Sequence, residues 1–382
     1  MDEPPSGRGL NGRHAREGRI ALVCTGLGRV KRGFETFTRD LFDELRGTVP
    51  VTLMKGGGPS GRDEIVVPNI PRARSLRWFS NDGARAYRLE QRSFSVGMLP
   101  SLVAQRFDVI HYMDGSLTGP LVRMRRLGFR YKLLFKNGGA HTPEHYERAD
   151  FVQLLTPLQL DEARAFGIPE HRLFCVPLGL HTAAYMPPPS YDRAALRRRY
   201  GVPVNASVVL CVSALSFSDK RVDWVIREVA SIAGAHVFLV LAGQRGPESE
   251  EILVLASRLL PGRHVVLEVP FDRVRELYWL ADVLTLGSLR EGFGRVIPEA
   301  ASAGLPLCVH DSPHFRWMTG HPAAVVDMTQ PGVLADRLGE LLTEPQLGAE
   351  LARDNHRHVR AAFDWSRVRP MYLSMYDRVR SA

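Results

Sequence analysis

Short runs of β-branched and apolar residues recur along the chain, each followed by a stretch with helical spacing. The first half carries such runs at 20–26, 51–55, 63–67, 109–113, 132–136, 151–155 and 172–176. The second half carries them at 208–214, 237–242, 265–269, 283–286, 305–310 and 324–327. Several are apolar without interruption (VVLCVSAL, VFLVLA), as expected of strands buried on both faces of a parallel sheet. Apolar positions spaced for helices fall at 34–46, 116–127, 157–166, 220–232, 249–260, 272–281, 331–342 and 346–361. Alternating strand and helix predicts an α/β fold, and the pattern restarts near residue 207.

A chain of 382 residues is long for one core, so two domains are expected. Pro187, Pro188 and Pro189 exclude helix and central strand. The reading is therefore a polar tail over 1–18, a doubly wound domain over 19–180 and a linker over 181–192. A second such domain follows over 193–363, and then an aromatic amphipathic helix over 364–382. The tail has no apolar core of a secretory leader, and no run of 18 apolar residues marks a membrane span. Cys24, Cys175, Cys211 and Cys308 each sit alone in an apolar run, which predicts reduced, buried thiols and a cytoplasmic protein. The net charge of +9 is lopsided: residues 1–180 hold 27 Lys and Arg against 19 Asp and Glu. The first half is thus expected to meet an anion: a phosphate-bearing ligand, an anionic membrane surface or nucleic acid. No basic–aromatic module supports nucleic acid.

Two doubly wound domains place a ligand in the cleft between them, where strand ends and helix N-termini face it. The most informative segment is SLREGFGRVIPEAASAGLP, residues 288–306. It follows an apolar strand and opens a helix. Gly292 and Gly294 let backbone approach a ligand, and Pro298 suits the first helical turn. Amides at the helix start favour a phosphate. Glu291 and Glu299 beside them read as acceptors for sugar or ribose hydroxyls.

These residues carry a family resemblance. Glu291-Gly-Phe-Gly followed by Glu299-Ala, then Ala303-Gly-Leu-Pro306, resembles the E-x7-E signature of retaining glycosyltransferases of the two-domain GT-B fold, family 4 above all. The stretches ADFVQLLT and RLFCVPLG, the run 208–214 followed by Lys220, LVLAG and the loop 26–35 resemble further parts of that family. The resemblance implies transfer of a hexose-type sugar from a nucleotide-diphosphate sugar to an acceptor glycan, lipid or small molecule. It implies retention, no cofactor and no metal; the sequence itself has no D-x-D, HExxH or Cys/His cluster. Glu291 and Lys220 would be catalytic. Glu291 and the amides of Gly292, Phe293 and Gly294 would face the sugar. Those of Arg295, Val296 and Ile297, with Lys220, would face the diphosphate, and Glu299 the ribose.

Two departures stand out. The arginine that partners the family's lysine is replaced by Ser213-Ala214, with Arg295 and then Arg221 expected to substitute. Where the family has a histidine near the donor sugar, this chain reads Lys136-Asn-Gly-Gly-Ala-His141, so either Asn137 or His141 fills the place or these are loop residues of no catalytic role. On the acceptor side the candidates are Gly28, Gly33, Glu35, His111 and Asp114; Glu35 equally suits the opening of a helix, and His111 more commonly a satisfied histidine at a strand end. Gly26-x-Gly28-x4-Gly33 fails the dinucleotide spacing and reads as a loop closing on an acceptor. Arginines 72, 74, 77, 85, 88 and 92 with Trp78, Phe79 and Tyr87 are a candidate face for peripheral contact with an anionic membrane, or a solvated helix face. The rival readings are a nucleotide-sugar epimerase and a catalytically weak sugar-nucleotide binder of the same fold.

Overall fold

A computed structural model describes residues 18–30, 33–75, 82–139, 143–232 and 236–382. His141, Arg77, Trp78 and Phe79 lie outside these residues. The first sheet contains β1 (Ile20–Cys24), β2 (Val51–Lys55), β3 (Glu64–Val66), β4 (Val109–Tyr112), β5 (Lys132–Lys136), β6 (Phe151–Leu154) and β7 (Leu173–Cys175). Their order is β3-β2-β1-β4-β5-β6-β7, every neighbouring pair parallel. The second contains β8 (Ser207–Val212), β9 (Val237–Ala242), β10 (His264–Leu267), β11 (Val283–Thr285), β12 (Leu307–His310) and β13 (Val325–Val326). Its order is β10-β9-β8-β11-β12-β13, again parallel throughout.

Parallel neighbours need crossover connections, and helices supply them. The helix Gly33–Leu45 joins β1 to β2 and buries Phe37, Leu41, Phe42 and Leu45 on the sheet. All six residues of β9 are buried, as its unbroken apolar run requires. Each sheet reverses its winding once, between β1 and β4 and between β8 and β11. Ligand crevices form beyond the strand ends at such points. The apolar runs at 20–26 and 208–214 outlast their strands by two residues, because the chain there has already turned into a loop.

The helix Leu99–Ala104 has no counterpart in the sequence reading, and Gly83–Gly97 figures there only as the solvated helix face weighed for the arginines of 72–92. Gly83–Gly97 buries Glu90 and Gln91 beside Ala86 and Phe94, so its inward face is half polar and its periodicity blurred. After residue 180 the chain makes a short turn at Thr182–Tyr185 and a helix at Arg193–Arg199. Buried Arg197 binds the carbonyls of Leu280, Val204 and Ala206 and the carboxylate of Asp282, tying that helix to the second domain.

The last helix, Trp365–Ser381, packs on the first domain. Tyr372 Oη accepts from Gln153 Nε2 at 2.6 Å, and Tyr376 Oη lies 2.7 Å from His111 Nδ1. Trp365 stacks on Phe37 at 5.9 Å. Pro370 lies inside this helix, which continues through it. Asp364 caps it and also accepts from Thr182 Oγ1 at 2.6 Å, so both chain crossings between domains meet at one place.

Candidate functional site

The loop after β8 brings Lys220 towards the turn after β11. A Cβ on Gly287 would lie 2.7 Å from the Lys220 carbonyl oxygen and 2.4 Å from that of Arg221, so only glycine lets the two backbones pass so closely. Lys220 Nζ then reaches both carboxylate oxygens of Glu291, at 2.7 and 2.8 Å. The pair is partly open, with side chains 26% and 13% exposed. It lines a cavity of about 470 Å³ together with Asp219 and Arg221 and with Gly139, Thr156 and Gln159 of the first domain.

Two contacts close this cavity across the domains. Gln159 Nε2 donates to the Gly292 carbonyl at 2.8 Å, and Arg290 pairs with Glu162. Gly292 faces Gly138, whose carbonyl would lie 2.7 Å from an added Cβ. Behind the turn, His314 Nε2 donates to the Phe293 carbonyl at 3.1 Å. Burial pushes the His314 pKa down, which keeps the ring neutral and the donor in place. Gly294 has φ +80°, a conformation that re-aims the chain into the helix Val296–Ser302. Phe293 and Ile297 are buried in the core and Val296 is half-buried against it.

Glu299 sits apart from Glu291 and outside the lining of that cavity. It is only 3% exposed and accepts from Tyr278 Oη at 2.8 Å and Arg295 Nε at 3.2 Å. Arg295 also donates to the Gly33 carbonyl at 3.2 Å and pairs with Asp40 at 3.5 Å. The expectation of a free guanidinium here is therefore corrected. Arg295 is already spent on two acids and a carbonyl, and it ties the second domain to the first helix of the first. Burial raises the Asp40 pKa even with Arg295 against it. Arg221 does line the cavity, but its guanidinium binds the Met328 carbonyl at 3.2 Å and stands over Trp224.

Among the acceptor-side candidates, Glu35 and Asp114 line a second cavity on the first domain. Gly28, at φ +88°, serves backbone packing: an added Cβ would stand 2.0 Å from the Gly57 carbonyl oxygen. Gly33 contributes its carbonyl to Arg295. Of the two readings of His111 the sugar contact is corrected: it is a strand-end core histidine, 4% exposed beneath the last helix. Burial lowers its pKa to about 3. Asn137 is buried, donating to Tyr146 Oη at 2.8 Å and accepting from the Gly139 amide at 2.9 Å. It shapes the Gly138–Gly139 turn that meets Gly292.

The sequence reading missed Gln159 and Lys136. Lys136 ends β5, is 3% exposed, and its Nζ lies 3.9 and 4.8 Å from the ring centres of Phe37 and Phe34. Burial pushes its pKa well below the usual lysine range. A second lysine, closing a strand whose middle is apolar, was the available signal.

Comparison with known proteins agrees with this architecture. Residues 206–344, most of the second domain, match the family model Glycosyl transferases group 1. D-inositol 3-phosphate glycosyltransferase of Acidothermus cellulolyticus is 31% identical over 225 residues, covering 55% of this chain and 49% of that protein. The chain spans about half the length of several curated relatives it matches. Sucrose-phosphate synthase of Thermosynechococcus elongatus superposes with a TM-score of 0.76 at 17% identity, over 95% of this chain and 99% of that one. Anabaena HepE in complex with UDP-glucose gives 0.75 at 18%, over 94% and 99%. The chain has the GT-B fold of two facing Rossmann-like domains, and its sequence relatives are glycosyltransferases.

Proposed function

We propose that this chain is a retaining glycosyltransferase of family 4 type. It moves a hexose-type sugar from a nucleotide-diphosphate sugar to an acceptor hydroxyl, without metal or other cofactor. The observation that carries this reading is the Lys220–Glu291 pair on a cavity walled by both domains. A lysine held by a carboxylate at two oxygens is a cation ready to exchange partners. An incoming diphosphate takes Lys220, and Glu291 is released to accept hydroxyls of the donor sugar.

The leaving diphosphate gathers negative charge as the anomeric C–O bond breaks. Lys220 and the backbone amides of Arg295 and Val296 offset it in a site sheltered from water, while the Ile297 amide is excluded because it already donates to the Gly294 carbonyl at 3.0 Å. The acceptor oxygen bonds the anomeric carbon on the face the phosphate leaves, and its proton passes to a phosphate oxygen. The configuration is thereby retained. Glu299 keeps lone pairs beyond those used by Tyr278 and Arg295, and these take the ribose hydroxyls. The residues 269–273 are the proposed neighbourhood of the base. No described helix is long and apolar enough to cross a membrane.

Thermal-shift titration with UDP-, GDP-, ADP- and dTDP-sugars tests this, since a ligand at 100 times its Kd adds about 2.7 kcal/mol of stability. The reading expects one donor class to stabilise the protein and a transfer assay to release its nucleoside diphosphate. Binding without turnover against a broad acceptor panel would favour the weak binder. The epimerase reading is not retained, because the relatives and the matched family model are glycosyltransferases.

A further inference from the structure

Beside the place where both chain crossings between domains meet lies a cavity of about 960 Å³. It shares no lining residue with the cavity at Lys220 and Glu291. Arg353, Arg357, Arg360 and Arg367 line it, all four exposed, and no Asp or Glu is among its described lining residues. The first three stand at i, i+4 and i+7 on the helix Pro345–Phe363, so they share one face, with Arg353 and Arg360 about 10.5 Å apart along the axis. Arg367 follows in the first turn of the last helix.

The nearby acids do not neutralise this cluster. Arg357 Nη1 pairs with Asp354 at 3.1 Å, whereas Arg353, Arg360 and Arg367 have no ion-pair partner among the described residues. Asp364 lies between Arg360 and Arg367 in sequence but is engaged elsewhere. Its Oδ1 accepts from Ser366 and its Oδ2 from Thr182. Glu350 is exposed and lies outside the lining. Even with all three acids counted, residues 349–369 hold five arginines against them, a surplus of +2. Like charges one and two turns apart on a helix destabilise it, so the helix gains when an anion lies between them.

We propose that this cavity binds a ligand carrying two or more phosphate groups, held by Arg353, Arg360 and Arg367. Guanidinium forks fit phosphate oxygens, and three unmatched forks call for more than one anionic charge. The site also straddles the domain crossing. The helix Pro345–Phe363 is fixed to the second domain, where Asn355 accepts from the Leu307 amide at 3.3 Å and donates to the Thr319 carbonyl at 2.9 Å. The last helix is fixed to the first domain through Tyr372 and Tyr376. A ligand on Arg360 and Arg367 therefore ties the two domains together at the crossing and restrains the opening of the cleft.

The test titrates the full chain calorimetrically with inorganic phosphate, pyrophosphate and tripolyphosphate. K220A serves as the background, so that phosphate binding at the donor site is weakened. In K220A, tripolyphosphate should bind at least about tenfold tighter than phosphate, the worth of added charged hydrogen bonds. Adding R353Q, R360Q and R367Q should lower tripolyphosphate affinity at least about tenfold, and R360Q alone should lower it in part. The substituted side chains are exposed, so the melting temperature should stay near that of K220A. Phosphatidylcholine vesicles with and without phosphatidylinositol 4,5-bisphosphate separate the sources. Retention that the three substitutions abolish assigns the phosphates to a lipid headgroup, and tripolyphosphate binding without retention assigns them to a soluble ligand. Bound tripolyphosphate should slow hydrogen exchange at both 180–186 and 360–367. Neither tripolyphosphate binding nor vesicle retention in K220A, or affinity unchanged by the three substitutions, overturns the site. Exchange slowed on the helix Pro345–Phe363 alone overturns the bridging of the domains.

Discussion

Lys220 and Glu291, 71 residues apart in sequence, meet in a two-oxygen ion pair at 2.7 and 2.8 Å. Each is the other's partner in the unliganded chain, and each is assigned a different part of one donor. K220A should weaken nucleoside diphosphate binding by roughly 1.5–3 kcal/mol, the worth of a charged hydrogen bond. E291Q should leave that affinity nearly intact and lower kcat by about 10²-fold. Calorimetry and steady-state kinetics read the two effects separately. Equal losses of binding in both variants would assign the two residues one shared role.

Arg295 joins Glu299, Asp40 and the Gly33 carbonyl across the domain boundary. R295L strands two acids in a poorly hydrated place and should cost about 3 kcal/mol of stability. D40N should recover part of that loss, and a double-mutant cycle should give a coupling of about 0.5–3 kcal/mol. Chemical denaturation measures it. Lost activity at unchanged stability would return Arg295 to the donor phosphates.

His111 shares its titration window with His310 and His314, which burial also lowers. Its pKa is about 3 in the folded chain against 6.5 ordinarily, so below pH 6.5 the unfolded chain binds the extra proton. Stability therefore rises with pH, and it is lost progressively as pH falls from about 6.5 towards 3. H111N should make the stability–pH curve less steep between pH 6.5 and 4.5, with His310 and His314 accounting for the slope that remains, above the range where carboxylates such as Glu64 add their own loss. Hydrogen exchange should find the last helix loosening first in the parent chain, because Tyr376 is the ring's partner.

Gly28 holds φ +88° with Gly57 against it. G28A should destabilise the loop on the order of 1–3 kcal/mol and impair acceptor use more than donor binding. Comparing the KM for each substrate checks this.

Both sheets were legible because their strands are short, largely apolar runs that alternate with helical spacing; β9, apolar throughout, needed no other information. The turn at Glu291 was legible too, since glycines, an acid and a helix start lie within a few residues. What escaped depends on partners distant in sequence. His111 looks like a cleft residue until Tyr376, 265 positions later, is laid over it. Arg295 looks like a free phosphate ligand until Asp40 and Gly33 arrive from the other domain. The bounds of the helix Gly83–Gly97 escaped because its inner face carries Glu90 and Gln91, which blur its apolar period.

The central claim is that a nucleotide-diphosphate sugar binds at Lys220 and Glu291, and equilibrium binding of a nucleoside diphosphate to parent and K220A chains tests it most directly. The account predicts that one of UDP, GDP, ADP or dTDP binds the parent and binds K220A at least about tenfold more weakly. Undiminished affinity in K220A, or no binding by any of the four, would contradict it.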